Sequence, residues 1–178
     1  IFVFSGVPMT WEGKAHMAIL QGDTVQVSRG PAAAMIAIKQ AGTNGGGFFG
    51  TNSAHPLENP SYLTNAVESI LIILIPIAMV FALGYYLNRK KLAWMVFGVM
   101  TIGFLMLLVP AVMQEMKGNP AITKMGIDQT LGSMEGKEIR LGSAASAFWG
   151  IIATVTSDGS ANCVHDSFTP LTGGLAML

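Results

Sequence analysis

The chain has 178 residues, 51% of them hydrophobic and only 11% charged. Soluble domains carry nearer ~25% charged residues, so this composition, with a mean hydropathy of +0.52, excludes an ordinary water-soluble domain and points to a membrane. Ten basic and ten acidic side chains cancel, which argues against nucleic acid as a partner, and one cysteine, Cys163, excludes an internal disulfide or a cysteine-based zinc site.

Residues 1–30 mix polar and apolar side chains and read as a loop outside the membrane. "PAAAMIAIKQA" at 31–41 then has Pro31 suited to the first helical position and Gly42 suited to the stop. At ~1.5 Å per residue such a helix reaches about halfway across ~30 Å of hydrocarbon. It is followed at 42–49 by "GTNGGGFF". A half-length helix ending in a polar Gly turn reads as re-entrant, and such backbone is tolerated at membrane depth only where protein buries it or it lines a water-filled path.

Two long apolar runs come next. No charge interrupts the chain between Glu68 and Arg89, or between Lys91 and Glu115. Each run matches the ~20 residues that a spanning helix needs, so spans are expected at 66–88 and 92–113. Two core helices of a soluble protein would each need a polar stripe, and neither run has one. Pro76 is expected to kink the first span, and Pro110 falls near the end of the second. Arg89, Lys90 and Lys91 fill the link at 89–91 with no acid beside them, which places it on the cytoplasmic side, with Tyr85, Tyr86 and Trp94 as an interfacial belt. The segments on either side of the two spans then lie outside, among them the loop 114–142, whose "MEGKEIRLG" reads as solvated.

"SAASAFWGIIATV" at 143–155 is a second short apolar helix, with Ser143 as its N-cap, and it leads into "TSDGSANC" at 156–163. Aligning the turns on Gly45 and Gly159 puts Thr43 on Ser157, Asn44 on Asp158 and Gly46 on Ser160. The pore-helix segments 31–65 and 143–178 thus repeat one plan, the second including the start of a further span. The chain opens on Ile1 and closes on "GGLAML" inside an apolar stretch, so it is expected to be a piece of a longer polypeptide.

A short helix followed by a hydroxyl-and-glycine strand has the parts of a potassium selectivity filter. Glycine allows backbone conformations that aim successive carbonyls at one axis. Those oxygens replace an ion's hydration shell, and four strands complete the ring. This chain supplies two. Phosphate binding is the rival, but a Walker A loop needs Gly-Lys-Ser/Thr where Phe48 and Phe49 stand. A dinucleotide fold would need a strand before the turn and an acid beyond it.

"GTNGGGFFGTNSAHPLENP" (42–60), "GNPAITKMGI" (118–127), "MEGKEIRLG" (134–142) and "HDSFTPL" (165–171) closely resemble the potassium-binding A-subunit family of the bacterial Kdp potassium-transporting P-type ATPases. The resemblance covers nearly the whole chain. It implies an all-α integral membrane protein built from potassium-channel-like repeats of transmembrane helix, re-entrant pore helix, selectivity-filter loop and transmembrane helix. The implied activity is capture of periplasmic K+ in the bacterial inner membrane. The ion then passes to a B subunit that hydrolyses ATP, with a C subunit and a short F peptide completing the complex. The chain itself is expected to be non-catalytic, with no ATP site. Carried over by motif, Thr43, Asn44, Gly45 and Gly46 line one side of the filter, and Thr156, Ser157, Asp158 and Gly159 another. Asn162, His165 and Asp166 support it. Asp158 is expected to brace from behind, since a carboxylate facing the ion would hold it too tightly. A channel-like transporter of the Trk type, without an ATPase, is the alternative.

Phe48 and Phe49 are expected to pack the filter against the neighbouring pore helix. His16, His55 and His165 lack metal-ligand spacing, and the last two are expected to hydrogen-bond the loops that leave the turns. Glu58 and Asp166 either attract cations to the outer mouth or cap helices. Lys39 either pairs with an acid or snorkels. Cys163 is expected to be a small packing residue.

Overall fold

The computed structural model describes residues 1–12, 16–20, 23–27, 29–50 and 52–178. In chain order they form a hairpin of β1 (His16–Leu20) and β2 (Asp23–Val27), then helices α1 (Ala32–Ala41), α2 (Tyr62–Tyr86), α3 (Lys90–Lys117), α4 (Pro120–Lys124), α5 (Gly142–Thr156) and α6 (Pro170–Ala176). The hairpin, antiparallel with His16 opposite Val27, occupies the segment expected to be loop. All the other regular elements among the described residues are helical.

Helix α2 begins where Ser61 accepts from the Thr64 backbone and Thr64 Oγ1 accepts from the Ser61 amide, a capping box. It runs 25 residues, about 37 Å at ~1.5 Å each. Helix α3 runs 28 residues. Both exceed the hydrocarbon thickness; α3 overruns the span read from sequence at both ends, whereas α2 starts before its span, at Tyr62, and stops short of 88, at Tyr86. The link between them is 87–89, with Asn88 left-handed at φ 50°. Lys90 and Lys91 already lie in the first turn of α3. Gly84 faces Ala93 so closely that a Cβ on it would strike the alanine methyl, which fixes how near the two spans approach at this end.

Large apolar side chains cover the outer faces of the long helices, while many polar ones are buried beside the apolar clusters. Met79 is 66% exposed and Met106 70%, whereas Gln40, Glu58, Glu68, Glu115, Asn59 and Asn162 have no exposure at all. In water this arrangement would be costly. In lipid it is the stable one, since polar groups at membrane depth face the protein interior and one another. These helices make the chain an integral membrane protein of helical class.

The short helices fill the space beside the spans. Helix α5 buries Trp149, Ile152 and Ala153 against Ile72 of α2, and Ile151 against Leu108 and Ala111 of α3. Its small residues admit this close approach. Helix α1 buries Ala32, Ala33 and Ile36 with Phe2 and Val7, next to Val67 and Leu71 of α2. Two boundaries differ from the sequence reading. Pro31 caps α1 instead of occupying its first turn. Helix α5 starts at Gly142 with Leu141 before it, so Ser143 is not the N-cap; its hydroxyl donates to the Leu131 carbonyl instead.

Candidate functional site

Each short helix ends in the same turn. After α1, the Thr43 amide donates to the Gln40 carbonyl (3.2 Å) and the Asn44 amide to the Lys39 carbonyl (3.1 Å). After α5, the Ser157 amide donates to Thr154 (3.4 Å) and the Asp158 amide to Ala153 (2.8 Å). This is the Schellman pattern, which closes a helix through one left-handed residue. That residue is Thr43 (φ 52°) in one turn and Ser157 (φ 58°) in the other. Gly42, expected as the stop, is right-handed. A β-branched threonine is a rare occupant of this region, so the surroundings must hold it there.

The two turns meet backbone to backbone. A Cβ on Gly45 would collide with the main chain of Gly159 and Ser160, and one on Gly159 would stand 3.0 Å from the Asn44 carbonyl oxygen. Asn44–Gly46 and Gly159–Ser160 are therefore brought together. The match has limits. Gly45 and Gly46 are left-handed, at φ 74° and 87°, and Gly159 is not. Asn44 is exposed whereas its counterpart Asp158 is buried. Thr43 Oγ1 donates to the Gly42 carbonyl (2.7 Å) and Thr156 Oγ1 to the Ile152 carbonyl (2.8 Å), which spends each proton on backbone and leaves the oxygen lone pairs free.

A buried polar network stands behind the turns. Lys39 forms an ion pair with Glu58, and its ammonium also donates to the Gly46 carbonyl (2.5 Å) and Ser53 Oγ (2.8 Å). Lys39 thus pairs and does not snorkel. Glu58 takes neither role considered for it, since its second oxygen accepts from the Phe48 amide (2.8 Å). Asp158 accepts from Ser160 Oγ within its own turn, which fits a brace. Ser160 Oγ also reaches Gln40 Oε1 (3.0 Å), and Gln40 Nε2 donates to Glu68 (2.6 Å). One glutamine so ties the second turn to α1 and α2. Asn162 donates to Asn65 Oδ1 of α2 (2.9 Å), which also accepts from Asn59.

The phenylalanines differ from expectation. Phe49 packs on the cluster of α1, the helix before its own turn, and stacks on His55 at 5.1 Å; Phe48 lies over Gly30. Neither is placed against α5, because the chain turns tightly at Gly47, whose Cβ would strike the Gly50 and Asn52 carbonyls. His55 Nδ1 accepts from the Leu57 amide (3.1 Å), and His165 stacks on Phe168 at 5.2 Å, with burial lowering its pKa. Asp166 is exposed in a short 3-10 turn, His165–Ser167. Burial pushes the Cys163 thiol up to about 12, which keeps it an unreactive packing group.

Four residues to which the sequence reading gave no individual role complete the site. Trp149 is fully buried and its indole N–H donates to the Ser160 carbonyl (3.2 Å). A tryptophan in a short apolar helix signals this, since a buried indole needs an acceptor. Glu115 at the end of α3 pairs with Lys137 (2.9 Å) and accepts from the Thr169 amide and hydroxyl, both 2.8 Å. Arg140 donates to the Asn59 and Ala54 carbonyls, each at 2.7 Å. The "MEGKEIRLG" segment is thus a strap over the exits of both turns, and Lys137 in it is buried, so the solvated reading fails there.

The potassium-transporting ATPase A subunit family matches residues 1–178. A protein of Flavobacterium johnsoniae named potassium-transporting ATPase potassium-binding subunit is 65% identical over 176 residues, 99% of this chain. Proteins of the same name from Bacteroides thetaiotaomicron and Rhodospirillum centenum are 56% and 42% identical over 178 residues, all of this chain. In each case the chain spans 31% of the relative's length.

Proposed function

The chain belongs to the potassium-transporting ATPase A subunit family, and from that membership we propose that its two Gly turns are two strands of a potassium-selecting filter in an ATP-driven uptake complex. The observation that carries this reading is the paired turn: the same left-handed cap closes both short helices, and the turns meet at Gly45 and Gly159.

The chemistry follows from the groups present. A desolvated K+ exchanges its water for carbonyl oxygens and the lone pairs of Thr43 and Thr156. The C-terminal ends of α1 and α5 both close onto this point, adding the negative ends of two helix dipoles. Asp158, held by Ser160, contributes negative potential without contacting the ion, so the ion can leave. The remaining strands come from parts of the polypeptide outside these residues. K+ enters from the outer face of the bacterial plasma membrane and passes to a separate ATP-hydrolysing subunit. A Trk-type transporter shares the filter physics; the names of the relatives favour the pump.

The test is made in the full complex. Gly45→Ala and Gly159→Ala should weaken apparent K+ affinity and relax discrimination against Rb+ and Na+. Losing a hundredfold preference takes only ~2.7 kcal/mol. Gly98→Ala is the control, since a Cβ there meets nothing within 4 Å. Wild-type affinity and selectivity in both filter variants, or the same defect in Gly98→Ala, would overturn the reading.

A further inference from the structure

The Gly46 carbonyl is already occupied. Lys39 Nζ lies 2.5 Å from it and Ser53 Oγ 3.3 Å, both approaching from behind the turn. The lysine is fixed there by its ion pair with Glu58, whose carboxylate has no exposure and whose other oxygen grips the Phe48 amide. Lys39 and Glu58 so clamp both sides of one peptide stretch: the carbonyl at Gly46 and the amide at Phe48.

A carbonyl that accepts from an ammonium directs its lone pairs at that donor, and a bound cation on the same oxygen would face like charge. We infer that Lys39 is a positioning residue that withholds the Gly46 oxygen from the ion path, so that coordination by the first turn ends at Gly45. This rests on the filter reading above and adds a boundary to it. The second turn has no counterpart of this clamp: Ala153 stands where Lys39 would, and Ser160, where Gly46 would, gives its carbonyl to the neutral indole of Trp149. The ligand set is thereby asymmetric, and its outer limit is set by a charged group on one side only.

Releasing the oxygen lengthens the coordinating stretch and loosens selection by size. The experiment uses the full complex carrying Lys39→Met with Glu58→Gln, which removes both charges together and keeps an acceptor for the Phe48 amide. K+- and Rb+-stimulated ATP hydrolysis are measured over ion concentration. The ratio of apparent affinities, K+ over Rb+, should fall about tenfold, while the rate at saturating K+ stays within about twofold, since ~1.4 kcal/mol separates the two outcomes. Ser53→Ala, which removes the weaker donor but leaves the lysine on the Gly46 carbonyl, is the control and should keep the ratio within about twofold of wild type. An assembled double variant with the wild-type ratio overturns the inference. If the double variant fails to assemble, Lys39→Met alone is read in its place, and a wild-type ratio there overturns the inference. Gly45→Ala, run alongside, separates the two ideas: an altered ratio there with unaltered clamp variants sinks only the role of Lys39, and no change in any of them sinks the filter itself.

Discussion

Behind the turn that follows α1 stand Lys39 and Glu58, an ion pair inside the protein; behind the turn that follows α5 stand Trp149 and Ser160, both neutral. The backbone they hold is the same cap, with left-handed Thr43 in one and left-handed Ser157 in the other. The first turn runs through three consecutive glycines and folds tightly at Gly47. The second has Gly159 alone, followed by Ser160, whose hydroxyl reaches Asp158 and Gln40. A glycine-rich strand has little side chain with which to hold itself, so its restraint comes from a charged clamp further along the chain. A strand with serine and aspartate braces itself. The repeat preserves a backbone shape and leaves the means of holding it free to differ.

The comparison breaks most visibly at Glu58. Removing one partner of a buried ion pair costs ~3–5 kcal/mol, because the other charge is left without compensation. Glu58→Ala should prevent recovery of the assembled complex from membranes, and pairing it with Lys39→Met should restore recovery. Equal loss in both would show that packing, and not the unpaired lysine, governs this turn. Asp158→Asn is the matching change in the second turn. It keeps an acceptor for Ser160 and should assemble normally.

Next in size is the contrast between the glycines. Gly45 is left-handed at φ 74° and a Cβ on it strikes the facing main chain, whereas a Cβ on Gly159 meets only the Asn44 oxygen at 3.0 Å. Gly45→Ala should therefore weaken apparent K+ affinity by at least about tenfold more than Gly159→Ala, equivalent to ~1.4 kcal/mol. Comparable losses would mean that the turns separate in the full complex.

The spans were plain in the sequence because an uninterrupted apolar run has few other uses, and the turns were plain because their Gly and hydroxyl residues recur in order. Lys39 was visible as an anomaly. Its partner was not, since Glu58 lies 19 residues on and nothing local pairs them. The same holds for Glu115 with Lys137 and for Arg140 with Ala54, contacts that exist only once the outer strap folds back. The reading of "MEGKEIRLG" as solvated failed at Lys137 for this reason, while Glu135, Ile139 and Arg140 are exposed as expected: charge density argues for water only when no buried counter-charge waits. The phenylalanines were assigned to the wrong helix because the tight turn at Gly47 depends on backbone approach, which side-chain pattern does not encode.

A smaller effect is expected at Trp149. Trp149→Phe keeps most of the buried ring and removes the donor to the Ser160 carbonyl. A typical hydrogen bond contributes ~0.5–1.5 kcal/mol net, so thermal stability of the complex should fall slightly and apparent K+ affinity by no more than about tenfold. If the second turn is self-braced through Asp158 and Ser160, the affinity change should be well below that of Gly45→Ala. A larger one would make the indole the principal support.

The smallest effect concerns the two histidines at the exits of the turns. His55 has its Nδ1 occupied by the Leu57 amide, while His165 Nε2 is buried without a partner. Burial lowers the pKa of His165 from its ordinary value near ~6.5. In the unfolded chain this imidazole takes up a proton as pH falls through that value; in the folded chain it resists until lower pH. The unfolded state then binds more protons, so stability declines as pH falls below ~6.5 and is level above it. His165→Gln removes the titration and should flatten the pH dependence of thermal unfolding below about pH 6.5 without changing the value at pH 8. An unchanged slope in His165→Gln would show that other groups carry the acid sensitivity.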